Sequence, residues 1–289
     1  MTSSIKLKAP AKINLRLEVL GELPIGYHKL RMFNITIDLF DELAVSFQGE
    51  KISVEADNPA IPSGPANLAY RAAAYFLEKY SVKTGVKIRI KKNIPMGGGL
   101  AGGSTDAAAV LKALADQFGI KRSKLDLEEI AYKVGADVPY LIFDGPAWVH
   151  GIGEKIEPLK DFPEPFYLLV NPGFSVSTGE VFGELGRVSN LTIDPKAVIL
   201  SRLRRDGFAG FCVNHLEKVV FARHHGLKAI KNELVRLGAL ASLMSGSGST
   251  LVGIFLDKAG AEQAAKTFSK KPGFWVRVVR QYKSRGARD

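Results

Sequence analysis

The sequence has almost no cysteine and no long apolar run, and these two absences exclude several classes of protein. A single cysteine among 289 residues, Cys212, cannot form an intrachain disulfide. Because it lies in an apolar stretch, we interpret it as a small buried side chain and not as a catalytic thiol. No run of about 18 uncharged apolar residues occurs, so no membrane-spanning helix is predicted. The first residues also lack the apolar centre of a secretion signal, and we expect a cytoplasmic protein.

Acidic residues are scarce relative to basic ones. The 40 lysines and arginines outnumber the 29 aspartates and glutamates, which gives a formal net charge of +11. This excess favours anionic partners such as nucleotides and phosphorylated metabolites. Neither zinc-ligand spacing nor an aromatic-rich RNA-binding signature accompanies the charge, so we expect no specific nucleic-acid binding. A basic nucleotide- or RNA-binding protein without catalysis is the alternative from another functional class.

The pattern of apolar residues predicts strands and helices in two successive blocks. In the first block, alternating apolar residues predict strands over 13–19, 33–39, 43–47 and 86–90. Before the last of these strands, apolar residues at helical spacing predict a helix from about Asn67 to Lys79.

A second block of strands and helices begins at Pro165, after glycines and prolines have interrupted the pattern between 150 and 164. A chain of this length usually exceeds one hydrophobic core. The sequence therefore predicts two lobes of mixed helix and strand, with domains over 1–155 and 156–289.

Five glycines fall within the seven positions from Gly97 to Gly103, between a predicted strand and a predicted helix. Glycine has no β-carbon to keep a phosphate away from the backbone amides, and a helix N-terminus attracts anions. No Gly-Lys-Ser/Thr follows, so this is not a Walker A loop, and the spacing differs from the dinucleotide-binding fingerprint. We predict a phosphate-binding loop in preference to a flexible turn. Ser104 and Thr105 either cap the following helix or contact a phosphate or a magnesium ion.

Two further segments carry polar groups whose meaning is ambiguous when each is taken alone. Lys12 and Asn14 lie two positions apart, on one face of a predicted strand. A lysine on a strand is usually solvated. Asp137 precedes Pro139, which is also a common way to begin a helix.

Together with residues 26–28 and 244–250, these segments resemble the motifs of the GHMP kinases. The motifs span residues 9–250 and follow the order found in that family. The chain departs from the usual pattern at three positions: Ile25 replaces an aspartate, Ala101 replaces a glycine, and Thr105 replaces the second serine of a pair. The first departure leaves the contacts of residues 24–26 with the substrate open.

The resemblance implies a two-domain α/β kinase whose N-terminal lobe contains a left-handed βαβ unit and whose C-terminal lobe is ferredoxin-like. It implies transfer of the γ-phosphoryl group of ATP to the 2-hydroxyl of a methylerythritol unit carried on cytidine diphosphate, in the non-mevalonate pathway to isoprenoids. Mg²⁺ is expected because it neutralises the transferring phosphates. A homoserine or mevalonate-type kinase of the same superfamily is the alternative. The magnesium ligands and the choice between a monomer and a weak homodimer are left open.

The resemblance also implies a role for each matched residue. Asp137 would accept the proton of the hydroxyl, and Lys12 beside it would stabilise negative charge as it develops. The residues expected at ATP are Pro95, Met96, Gly97, Gly98, Gly99, Leu100, Ala101, Gly102, Gly103, Ser104 and Thr105. Those expected at the acceptor are Asn14, Tyr27, His28, Thr178, Phe182, Gly246 and Ser247. Among these, His28 would read the edge of the cytosine, with the rings of Tyr27 and Phe182 stacked on its faces.

Overall fold

Two β-sheets organise the chain in a computed structural model, which describes residues 4–22, 28–185 and 194–282. The strands are β1 Ile5–Glu22, β2 His28–Phe47, β3 Ile52–Ala56, β4 Val86–Lys91, β5 Ala147–Gly151, β6 Lys155–Pro158, β7 Phe166–Asn171, β8 Val213–Asn214, β9 Ala241–Met244, β10 Leu251–Phe255 and β11 Trp275–Arg280. The helices are α1 Leu68–Lys79, α2 Gly102–Gln117, α3 Leu127–Lys133, α4 Val138–Phe143, α5 Thr178–Leu185, α6 Lys196–Phe211, α7 Glu217–Arg223, α8 His225–Arg236 and α9 Lys258–Ser269, with a 3-10 turn at Arg122–Lys124.

The larger sheet belongs mainly to the N-terminal half. Five of its strands follow the order β3-β4-β2-β1-β8, while β5 pairs with the other part of β2 and β6 pairs with β5. Strands β3 and β4 run parallel and are joined through α1, so they form a βαβ unit. Strand β6 ends at Pro158, and β8 from the C-terminal half pairs with β1, so this sheet extends beyond residue 155. The division of the chain at 155 stays a prediction.

The smaller sheet has four antiparallel strands in the order β11-β7-β10-β9. With helices after β7 and β10, this is the β-α-β-β-α-β arrangement of ferredoxin-like folds. The predicted two-lobed α/β architecture is therefore confirmed.

Strand β1 is buried on both faces between Ala9 and Val19. Its buried polar residues, such as Lys12 and Arg16, form hydrogen bonds with other groups. One buried cluster places Ile13 and Ile35 against Tyr167 and Ile254 of the smaller sheet. A second cluster packs α1 and α2 against the larger sheet. The two lobes thus share apolar packing. None of the helices among the described residues combines the length and the apolar character needed to cross a membrane.

The helix predicted from Asn67 is confirmed, and two other local predictions change. Asn67 caps α1 by accepting a hydrogen bond from the amide of Ala69, and Asp126 caps α3 in the same manner. The stretches 33–39 and 43–47 belong to one strand, β2, and not to two. Helix α2 begins at Gly102 after Ala101, with no side-chain cap. The interpretation of Ser104 or Thr105 as the helix cap is therefore wrong.

Candidate active site

A cavity of about 320 Å³ lies where the glycine segment meets β1, the start of α4 and the start of α5. Most of the predicted site residues line it: Lys12, Pro95, Gly97, Gly98, Gly99, Ala101, Gly102, Gly103, Ser104, Asp137, Thr178, Phe182, Gly246 and Ser247. They come from segments as distant as β1 and the loop before β10. The fold therefore brings together the two glycine-rich stretches and the candidate catalytic pair.

Lys12 and Asp137 face each other at this cavity. The Lys12 ammonium lies 3.5 Å from the Asp137 carboxylate; the lysine side chain is 4% exposed and the aspartate 30%. The ammonium also donates a hydrogen bond of 2.7 Å to Asn14, whose amide donates one of 2.6 Å to Asn34. These contacts fix the ammonium, so Lys12 is not a solvated strand lysine.

Asp137 occupies the N-cap position of α4, but its side chain makes no capping hydrogen bond. A carboxylate that does not cap its own helix remains available to a ligand. With the Lys12 ammonium beside it, this group is placed to accept a proton from a bound hydroxyl while the lysine balances negative charge. Asn14 lies behind Lys12, fully buried, and orients the ammonium without lining the cavity.

The glycines of the first loop are required by protein packing as well as by access for a ligand. A β-carbon on Gly99 would lie 2.0 Å from the carbonyl oxygen of Ser245, and one on Gly98 would lie 2.7 Å from the Asn171 amide nitrogen. The Ser245 hydroxyl donates a hydrogen bond of 2.9 Å to the Gly99 carbonyl. Any side chain at Gly99 would have to push the two loops apart, so the first loop interlocks with the second.

The second loop is held from behind by Asn214. This side chain donates hydrogen bonds of 2.7 Å and 2.8 Å to the carbonyl oxygens of Met244 and Gly246, and accepts one from the Leu216 amide. Because all polar atoms of this buried amide are used, the loop has a fixed path. Its next residue, Ser247, lies 2.8 Å from the Thr178 hydroxyl, which joins the loop to α5.

Three of the residues predicted at the nucleotide do not line the cavity. The Met96 side chain is 41% exposed on the outer surface, and Leu100 is buried in the core between the sheets. Thr105 is buried, and its hydroxyl donates to the carbonyl of Pro10 at 2.7 Å. That leaves Ser104 as the hydroxyl of this pair that faces the cavity.

The predicted base-binding residues lie at the other end of the cavity. The rings of His28 and Phe182 have centroids 5.0 Å apart and planes tilted by 36°. Phe182 lines the cavity, whereas His28 is not among the residues that line it and contacts it only through Phe182. The Nε2 atom of His28 is buried with no hydrogen-bond partner in the described part of the chain. Tyr27, the third predicted group, lies outside the described residues.

Sequence reasoning missed the apolar lining of the cavity. The missed residues are Leu17, Leu30, Met32, Leu68, Ala136, Ile152, Val176 and Leu216. Leu17 and Met32 are cross-strand partners in β1 and β2. The alternation predicts Leu17 on a buried face, whereas Met32 precedes the strand predicted over 33–39. A buried face on a strand is far more often core than cavity wall, and nothing in the local pattern separates the two.

A magnesium site made of protein side chains alone is not present among the described residues, where no three His, Cys, Asp or Glu side chains are grouped to hold a metal ion. Mg²⁺ at a kinase site is usually held by nucleotide phosphates and water, with few protein oxygens. Ser104, which lines the cavity, carries a hydroxyl oxygen that fits that arrangement. When bound, the ion would neutralise charge on the phosphates.

The comparisons with known proteins identify the family. Residues 67–145 match the model of the GHMP kinases N terminal domain, and residues 199–273 match that of the GHMP kinases C terminal domain. A 4-diphosphocytidyl-2-C-methyl-D-erythritol kinase of Clostridium botulinum (strain Hall) is 43% identical over 259 residues, covering 88% of this chain and 92% of the relative. One from Clostridium botulinum (strain Eklund 17B) is 41% identical, covering 92% of this chain and 96% of the relative.

Solved structures agree with these relatives. A crystal structure of 4-(cytidine 5'-diphospho)-2C-methyl-D-erythritol kinase superimposes with a TM-score of 0.78 at 34% identity, covering 96% of this chain and all of that one. A homoserine kinase from Cytophaga hutchinsonii, at 16% identity and a TM-score of 0.73, shares the fold. From the motifs, the fold and these relatives, the chain belongs to the 4-diphosphocytidyl-2-C-methyl-D-erythritol kinase family of the GHMP kinases.

Proposed function

We propose that this kinase transfers the γ-phosphoryl group of ATP to the 2-hydroxyl of 4-diphosphocytidyl-2-C-methyl-D-erythritol. The observation that carries the proposal is the Lys12–Asp137 pair, 3.5 Å apart, at the same cavity as the glycine segment. Phosphoryl transfer needs little covalent chemistry from the protein, so positioning and electrostatic stabilisation dominate. This cavity offers backbone amides for the phosphates, an ammonium for developing charge and a carboxylate for one proton.

In this mechanism the acceptor hydroxyl lies between Asp137 and the terminal phosphate. Asp137 accepts the hydroxyl proton, the acceptor oxygen forms a bond to the γ-phosphorus, and the bond between that phosphorus and the β,γ-bridging oxygen breaks. ADP leaves with the bridging oxygen. Lys12, held in place by Asn14, stabilises the negative charge on the transferring group and the carboxylate beside it.

The acceptor's cytosine would bind at the His28 and Phe182 end of the cavity. A planar base stacks favourably on an aromatic ring, and the imidazole of His28 has a donor and an acceptor for the base edge. The unpaired Nε2 of His28 fits this role, because a buried polar atom without a partner is costly unless a ligand supplies one. The names of the relatives support the same acceptor. Mg²⁺ bound with ATP, a cytoplasmic location and a monomer or weak homodimer complete the proposal.

An acceptor panel tests this function. The purified chain with ATP and Mg²⁺ is expected to phosphorylate the cytidine diphosphate conjugate, and mevalonate and homoserine should give turnover near background. ³¹P NMR of the product would show the new phosphate ester on the 2-hydroxyl carbon. Turnover of mevalonate or homoserine in preference to the conjugate would contradict the assigned acceptor.

A further inference from the structure

A buried charged cluster lies beside the glycine segment and is not used by the mechanism above. We define it as the Lys92 cluster: Lys92, Asp41 and Asp106, whose side chains are 7%, 0% and 5% exposed. The Lys92 ammonium forms ion pairs with Asp41 and, at 2.8 Å, with Asp106. Replacing such a buried cluster by apolar groups often leaves stability unchanged or improved, so stability alone does not account for it.

The cluster holds the entry to the glycine segment. One carboxylate oxygen of Asp41 accepts hydrogen bonds from the backbone amides of Asn93 and Ile94, at 2.7 Å and 2.9 Å. The Asn93 side chain donates a further hydrogen bond of 2.9 Å to the carbonyl of Phe40. These contacts fix the backbone between β4 and the first glycine.

The cluster also holds the exit from the glycine segment. Asp106 lies in the first turns of α2, and its carboxylate accepts a hydrogen bond of 2.8 Å from the Lys92 ammonium. A β-carbon on Gly102, the first residue of α2, would lie 2.8 Å from the Lys92 nitrogen and 3.3 Å from its terminal methylene. The ammonium therefore packs directly on the bare α-carbon at which the helix begins.

A cation at a helix N-terminus is unfavourable unless anions surround it, because the helix dipole is positive there. Asp41 and Asp106 supply those anions, and Asp41 reaches the amides before the loop while Asp106 belongs to the helix after it. From this geometry we propose that Lys92 is a positioning residue that joins the two ends of the glycine segment and so sets its amides for the triphosphate. The inference rests on the proposed binding of ATP by this segment.

Lys112, which lies on α2 like Asp106, offers a matched control. It is also largely buried, at 16% exposure of its side chain, and it pairs with the Asp144 carboxylate at 2.8 Å while donating to the Leu141 carbonyl at 3.0 Å. Its partners lie at the end of α4 and not at the glycine segment. Lys112→Met therefore removes a buried cation from its carboxylate partner, as Lys92→Met does, but leaves the contacts at both ends of the glycine segment in place.

The experiment compares Lys92→Met and Lys112→Met by calorimetric titration with the ATP analogue AMP-PNP and Mg²⁺, with thermal unfolding measured on the same samples. We expect both variants to unfold at lower temperature, because each leaves a buried carboxylate without its cation. The Kd of AMP-PNP should rise by about ten-fold or more in Lys92→Met only, since a small misplacement of binding groups is costly. The KM of the acceptor should change by less than about two-fold.

Asp106→Asn, with Asp144→Asn as its control, repeats the comparison in a shape-conserving form if Lys92→Met does not fold. An unchanged Kd in the Lys92 and Asp106 variants, or an equal rise in the Lys112 and Asp144 variants, would overturn the positioning role. A parent chain that bound no AMP-PNP would overturn the proposed function as well, so the two failures are distinguishable.

Discussion

The two ends of the cavity are built in different ways. At the phosphate end, which comprises Lys12, Asp137 and the glycine segment, each group is held by contacts from a distant part of the chain, such as the Ser245 hydroxyl bond to Gly99. At the base end, which comprises His28 and Phe182, two half-buried rings face each other at 5.0 Å. The phosphate end is therefore fixed by contacts between distant segments, whereas the base end consists of two side chains that contact each other.

The difference indicates that the phosphate end serves catalysis and the base end serves selection of the acceptor. Groups held by many contacts can stabilise a transition state without reorganising, which is the property that rate enhancement needs. Rings that only stack on a base contribute equally to the ground state and the transition state, and so they change affinity. We therefore expect substitutions at the phosphate end to change kcat and those at the base end to change KM.

The largest effect is expected from Asp137→Asn, which keeps the shape of the side chain and removes the proton acceptor. Steady-state kcat should fall by about 10²–10⁴-fold, the usual contribution of a general base. Nucleotide affinity should be unchanged within about two-fold, because the phosphates are held by the loop. Activity measurements with a parallel AMP-PNP titration check both values, and a variant with parental kcat would remove Asp137 from the mechanism.

Gly99→Ala tests whether the two loops really interlock. The added methyl group would lie 2.0 Å from the Ser245 carbonyl, at a residue with φ of +77°. We expect nucleotide affinity to fall by about ten-fold or more because the loop must shift. Stability should fall by about 1–3 kcal/mol, as in other overpacked sites.

Gly226→Ala is the matched control for that change. A β-carbon on Gly226, in the first turn of α8, would meet nothing within 4 Å. Its free energy of unfolding should stay within about 1 kcal/mol of the parent, and nucleotide affinity should not change. Equal behaviour of the two alanine variants would show that packing does not require glycine at position 99.

A smaller effect is expected at the base end. Phe182→Ala should raise the KM of the acceptor by about ten-fold, since stacking of a base on an aromatic ring contributes about 1–3 kcal/mol. Phe182→Tyr keeps the ring and should retain most of the affinity. The KM of ATP should be unaffected in both variants. An acceptor KM equal to that of the parent in Phe182→Ala would place the cytosine elsewhere.

The smallest effect is expected at Cys212, which lies outside both ends. Cys212 is only half-buried, but desolvation raises the pKa of its thiol to about 12, so only a very small fraction of it is the reactive thiolate at pH 8. The folded chain should react with a disulfide reagent at least about ten-fold more slowly than the chain unfolded in urea, and it should keep full activity. Rapid modification of the folded protein with loss of activity would contradict this account.

Local patterns predicted the parts of the site that lie within one segment. The alternation along β1 placed Lys12 and Asn14 on one face, and the strand, glycine segment and α2 follow in the predicted order. Asp137 was recognised at the start of a helix. These features depend on neighbours in the chain, which sequence patterns report.

Contacts between distant segments could not be predicted in this way. Gly99 and Ser245 are 146 residues apart, and Lys92 and Asp41 are 51 apart, so neither pair leaves a periodic signal. Asp41 did carry one indication, because it occupies the core-facing position between Leu39 and Leu43 in β2. A charged residue on an otherwise apolar face predicts a buried partner, but not which one.

The most direct test of the division between the two ends is a single-turnover measurement of phosphoryl transfer in Lys12→Met and Phe182→Ala, with ATP and acceptor both saturating. The account predicts that the transfer rate falls by about 10²-fold or more in Lys12→Met, because charge stabilisation at the phosphate end is lost. In Phe182→Ala it should fall by less than about three-fold once the acceptor is bound. A parental rate in Lys12→Met, or a larger loss in Phe182→Ala, would contradict it.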